Sequence, residues 1–83
     1  MMDPSDIDYN SIEGYSWNSL PKEYHDVKQI GYYYKESAFA YIIKLANNYF
    51  IVKNILSGKY IPCGRSYERA EDMRRRVITK FLN

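Results

Sequence analysis

The apolar positions of residues 39–82 change period once, and two turn signals divide what comes before the change. Between 39 and 63 they run in short strand-like blocks, FAYIIKLA, YFIVKNI and YIPC, separated by Asn47-Asn48 and by Leu56-Ser57-Gly58-Lys59. From Tyr67 onward the spacing is helical: Tyr67, Ala70, Met73, Val77, Ile78 and Phe81 form one stripe, with Leu82 at its margin. Ser66 can cap that helix, and Glu68, Glu71 and Asp72 early with Lys80 late suit its dipole. The pattern predicts an α+β domain in which a three-stranded antiparallel sheet packs on a C-terminal helix. Residues 31–37, GYYYKES, are rich in tyrosine and predict either a fourth strand or an extended lead-in, with the strand favoured. Residues 19–31 predict a short N-terminal helix. Ser19 would cap it, Pro21 would suit its first turn, Leu20, Tyr24, Val27 and Ile30 would form its stripe, and Gly31 would stop it. Residues 1–17 lack a period and read as an acidic flexible arm anchored by Trp17, leaving 18–83 as one small domain.

The turns predict which side chains share a face. A two-residue turn at Asn47-Asn48 pairs Ile43 with Val52, and a turn over 56–59 pairs Ile55 with Tyr60. In that register Tyr41, Ile43, Leu45, Phe50, Val52, Asn54, Ile61 and Cys63 face the helix. Ile42, Lys44, Ala46, Tyr49, Ile51, Lys53, Ile55, Tyr60 and Pro62 face outward. Both strand lysines then share the outer face. Pro62 cannot donate to a ladder, so the last strand should be an edge.

Composition narrows the function classes. Eighty-three residues make one domain with a thin core. Cys63 is the single cysteine, so no disulfide can staple it; a buried position is expected, and a reducing, cytoplasmic compartment suits a lone thiol. The acidic N-terminus is no signal peptide, and the longest uncharged apolar run, residues 38–43, is too short for a membrane span. The charge is asymmetric. Residues 1–30 carry six acids against Lys22 and Lys28, a net of −4; residues 31–83 carry ten Lys or Arg against Glu36, Glu68, Glu71 and Asp72, a net of +6. A basic body favours a polyanionic partner.

The segment 47–76 has the layout of a known family. Phe50 opens a strand, Gly58-Lys59 forms a turn, Cys63-Gly64 ends the next strand, Ser66-Tyr67 links, and Glu71-Asp72-Met73 lies in an amphipathic helix. This resembles the Apetala-type (ethylene-response-factor) DNA-binding domain and the arm-binding N-terminal domains of tyrosine recombinases, over roughly residues 39–82. The resemblance implies a small non-enzymatic module that lays its outer sheet face in the major groove of duplex DNA. Where that family is rich in arginine, this chain has Ile42, Ile51, Ile55 and Pro62, and Asn54 stands at an inward position that is apolar in the family. So apolar an outer face implies an alternative: a cover by the N-terminal helix, or a protein partner or second copy bound there.

The candidate DNA-binding surface is Lys44, Tyr49, Lys53, Lys59, Tyr60 and Arg65, lysines for phosphates and tyrosines for sugars and bases. The bland reading of the same residues is a solvated face whose lysines discourage aggregation. Arg74-Arg75-Arg76 reads as a basic cluster or, more simply, as an exposed helix supported by Glu71–Arg75 and Asp72–Arg76 pairs. Arg74 itself projects near the apolar stripe. His25 is the lone histidine, expected at the surface, and no metal-ligand spacing, nucleophile elbow or phosphate loop is present, so neither catalysis, metal nor cofactor is expected. A small toxin-type ribonuclease is the weakest reading, since no general base can be named.

Overall fold

A computed structural model describes residues 7–25, 27–35 and 38–82. Four strands, β1 (Gln29–Tyr33), β2 (Ala40–Leu45), β3 (Phe50–Asn54) and β4 (Lys59–Pro62), form one antiparallel sheet in sequential order, and helix α1 (Tyr67–Leu82) follows. The fold is therefore α+β, with the fourth strand present. It starts two residues before the expected stretch and ends at Tyr33; positions 36 and 37 of that stretch lie outside the described residues, as do positions 1–6 of the expected arm.

The expected N-terminal helix is absent. Trp17–Ser19 and Lys22–Tyr24 are single 3-10 turns, and Gln29–Tyr33 is strand. Leu20 and Pro21 between the turns are extended, so no i→i−4 ladder can run through them. The stripe at Leu20 and Tyr24 was a packing signal without a helix behind it, and Ile30 is exposed on the strand.

The hairpins correct the predicted register. Residues 46–48 form a three-residue loop: the Leu45 amide donates to the Tyr49 carbonyl at 2.9 Å, and Asn48 takes the left-handed conformation at φ 69°. Ile43 therefore opposes Ile51, and Ile42 opposes Val52. This one-residue shift exchanges the two faces of β2. The second loop spans 55–58, with Gly58 at φ 73°, and pairs Lys53 with Tyr60. That shift is two residues, so the faces of β3 and β4 stay as expected. Asn54 is buried yet fully used: its carbonyl oxygen accepts from the amides of Leu56 and Ser57, and its amide group donates to the Ile12 carbonyl at 2.7 Å.

Two cores result, one on each side of the sheet. Against α1 lie Ala40, Ile42, Phe50, Val52, Ile61 and Cys63, met by Ala70, Met73 and Val77. Ser66 caps α1 by accepting from the Arg69 amide at 3.1 Å. Phe81 and Leu82, expected on the buried stripe, are exposed, although the Phe81 ring still meets Phe39 at 4.3 Å. On the opposite face Ile43, Leu45 and Ile51 are covered by Leu20 and Tyr24, with Tyr15, Trp17, Val27, Tyr41, Tyr49 and Tyr60 around them. β3 is thus buried on both sides, which explains its unbroken Phe50-Ile51-Val52 run. Each such buried aliphatic side chain is worth about 1.5–3 kcal/mol.

Candidate functional site: the two edges of the sheet

Residues 7–25 act as a strap. Ile7 is buried, and Ile12 packs on the helix-side core. The strap then crosses the β4 edge, where the Tyr15 amide donates to the Tyr60 carbonyl at 2.7 Å and the Tyr60 amide returns to Tyr15 at 2.8 Å. Gly14 permits that approach. Its φ is 90°, and a Cβ there would stand 2.8 Å from the Tyr60 carbonyl oxygen. Beyond the edge, Trp17 meets Tyr60 and His25 edge-on, each at 5.1 Å. His25 is half-buried rather than free at the surface, with Nε2 2.9 Å from the Leu20 carbonyl. Tyr24 lies edge-on to Tyr49, and its hydroxyl accepts from the Gly64 amide at 2.9 Å. Burial holds the Tyr24 phenol far above its ordinary range, against the opposing pull of that hydrogen bond.

The six residues expected to form a DNA surface are divided by this arrangement. Lys53 and Tyr60 do lie on the strap face, but Lys53 sits 4.2 Å above the Tyr60 ring and donates to the Gly58 carbonyl. Arg65 stacks over Tyr49 at 5.2 Å. Lys44 opposes Phe50 and so belongs to the helix face, not beside Lys53. Lys59 opposes Asn54 and pairs with Glu13 at 3.1 Å, an exposed contact of small energy. The shared outer face of Lys44 and Lys53 is therefore corrected by the β2 shift, and Ile51 at its centre has no exposed surface. In the arginine cluster, Arg76 pairs with Asp72 at 2.9 Å. Arg74 donates to the Ala40 carbonyl and lies 4.1 Å above the Tyr34 ring.

The opposite edge is built differently. No strand or bridge covers the outer side of β1 among the described residues. Ile30, Tyr32, Tyr33 and Tyr34 are all exposed, Ile30 by 54%. A bulge between Gln29 and Gly31 lets Ile30 stand out of the ladder. The tyrosines are held rather than loose. Tyr32 meets Tyr41, carries Lys35 over its ring at 4.7 Å and donates to Gln29. Tyr33 meets Tyr67, and the Tyr34 hydroxyl donates to Glu71 at 3.0 Å. What this edge leaves free is backbone pairing capacity beside a preordered aromatic rim. The sequence announced it only as GYYYKES, a strand of uncertain bounds; its role as an open edge depends on the strap closing the other one.

Among the described residues no cluster of His, Cys, Asp or Glu suits a metal ion, and no helix is long and apolar enough to cross a membrane. Comparison with protein-family models, with curated proteins and with solved structures finds no match to this chain. The Apetala-type resemblance accordingly rests on its short sequence motifs alone.

Proposed function

We propose that this chain is a non-enzymatic protein-interaction module that receives an extended segment of another protein as a fifth strand on β1. The observation that carries the reading is the contrast between edges: β4 is closed by the chain's own backbone at Tyr15, whereas among the described residues nothing pairs with the outer side of β1, which lies beside four exposed apolar or aromatic side chains. Strand addition supplies affinity through main-chain hydrogen bonds and selectivity through alternate side chains. Both earlier readings, duplex DNA and an apolar protein interface, needed the face around Ile51, and Leu20 and Tyr24 now lie on it. The interaction reading moves to the edge, and duplex DNA becomes the competing outcome of the test.

Selection of random displayed peptides on the immobilised full chain tests it. Peptides should be recovered whose binding is lost in Ile30→Lys, Tyr32→Lys, two exposed positions whose change leaves the fold intact. Recovered peptides indifferent to that double change would sink the reading. So would salt-sensitive duplex binding abolished by Lys53→Glu with Arg65→Glu.

A further inference from the structure

We infer that the segment received by β1 is acidic, an inference that rests on the strand-addition reading above. Among the described residues of this edge, cations outnumber carboxylates. Within the described residues 27–35 the charged side chains are Lys28 and Lys35, one beyond each end of the strand, and the acids nearest them in sequence, Asp26 and Glu36, lie outside the described residues. β2 adds Lys44, which opposes Gly31. Neither ion pair found among the described residues engages any of the three. One carboxylate, Glu71, touches the rim, where it accepts from the Tyr34 hydroxyl, and the Arg74 guanidinium lies over the same ring. Gly31 adds a shape to the charge. A Cβ at that position would meet nothing within 4 Å, so the surface beside Lys44 on the helix side of the strand is open there. A side chain from an added strand can lie across Gly31, and a carboxylate there would reach toward the Lys44 ammonium.

The same charges argue against a second copy as the occupant. Two copies of β1 paired antiparallel about a two-fold axis bring Lys28 of each against the Lys35 end of the other, and like charges facing across a strand pair destabilise it. Bases stacking on the tyrosines are disfavoured too, because Lys35 covers a face of Tyr32 and Arg74 covers a face of Tyr34. The fitting partner is an extended peptide of about six residues with alternating β-branched side chains and Asp or Glu at both ends.

Two fluorescein-labelled peptides with the same alternating valine–threonine centre decide it, one flanked by paired glutamates and one by paired lysines. Anisotropy with the full chain should favour the acidic peptide by about tenfold at low salt, with the preference shrinking at high salt. Lys28→Glu with Lys35→Glu should reverse the preference, and amide signals of Tyr32 and Tyr33 should shift on binding. Equal binding of both peptides with those amides shifted leaves the edge reading standing and overturns the acidic partner. Binding by neither, or shifts confined elsewhere, overturns both. A dimer mass by light scattering without peptide replaces the acidic partner with a second copy, and tighter capture of labelled oligothymidylate than of the acidic peptide replaces it with nucleic acid.

Discussion

The two edges of this sheet solve one problem in opposite ways. An edge strand presents unpaired N–H and C=O groups to any passing strand, and proteins suppress that hazard by several devices. At β4 the suppression is by occupation: Pro62 removes one donor, and Tyr15 takes up both groups of Tyr60. At β1 it is by a bulge at Ile30 and by flanking Lys28 and Lys35. Occupation consumes the pairing capacity. Charge and a bulge leave it in place, and on the proposed reading they favour an acidic strand over a basic one. An edge closed by its own chain is structure, and an edge guarded by charge is a candidate for recognition.

The strongest way to break the contrast is to remove the strap. Tyr24 is nearly fully buried, and its ring completes the cover over Ile43, Leu45 and Ile51. Tyr24→Ala should cost about 3–5 kcal/mol in a denaturant titration, the range for truncating a buried aromatic, and the variant should bind an apolar dye on the bared face. A loss under 1 kcal/mol would mean that the strap contributes little to stability. Gly14→Ala attacks the β4 closure alone. The new methyl would meet the Tyr60 backbone at a φ that alanine resists, so about 2–3 kcal/mol should be lost. Amide exchange should rise at Tyr60 while that of Gln29–Tyr33 stays unchanged.

Much of this architecture was legible in the sequence, for physical reasons that also mark the limit. The alternation around 39–63 and the stripe through Ala70, Met73 and Val77 are direct images of burial, so the sheet and α1 were readable. The faces of β3 and β4 survived a misjudged turn because the error was two residues. The faces of β2 did not, because Asn48 in the left-handed region closes a three-residue loop, and asparagine permits two- and three-residue loops alike. Ile42-Ile43 and Phe50-Ile51-Val52, apolar without alternation, were the signal that both faces are covered. The strap itself was mistaken for a helix, since Leu20 and Tyr24 sit at a spacing that suits a helix but is met here by two 3-10 turns. The open edge was least legible: nothing local to GYYYKES says whether its outer side is paired, because that depends on where the N-terminal residues go.

Cys63 offers a pH probe of the closed side. It belongs to the helix-side core and lines a cavity with Tyr24, Gly64 and Arg69, and burial pushes its thiol up to about 12, with Arg69 pulling the other way. Folding thus holds the proton on a thiol that the unfolded chain releases near pH 9. The stabilisation is complete below pH 9 and fades as pH rises from there toward 12, by about 1 kcal/mol for the first unit. Melting temperatures should fall above pH 9 in the parent chain and fall less steeply in Cys63→Ala. Equal slopes would remove the thiol from the account. Disulfide-exchange reagents should react with Cys63 slowly in the folded chain and fast once it is denatured.

The smallest change in stability should accompany the largest change in recognition. Ile30 and Tyr32 are exposed on β1, and neither belongs to the two buried clusters. Ile30→Lys with Tyr32→Lys therefore removes little burial, and the cost to folding should stay within about 0.5 kcal/mol. The Tyr32 contacts that disappear are an exposed hydrogen bond to Gln29, the Lys35 ammonium over its ring and a ring contact with half-buried Tyr41. An added strand faces a different balance. It would lose the aromatic surface against which its alternate side chains pack, and it would meet two further lysines beside Lys28 and Lys35. A basic or neutral peptide should then be rejected outright, while an acidic peptide trades apolar contact for charge and keeps a weak, salt-sensitive remnant. A pair of lysines placed on the strap beside the β4 edge, for example Ser16→Lys with Asn18→Lys, should leave peptide capture unchanged, because that edge is already filled by Tyr15. If both pairs of substitutions reduce binding alike, the protein does not distinguish its edges, and the contrast between a closed side and a receptive one fails.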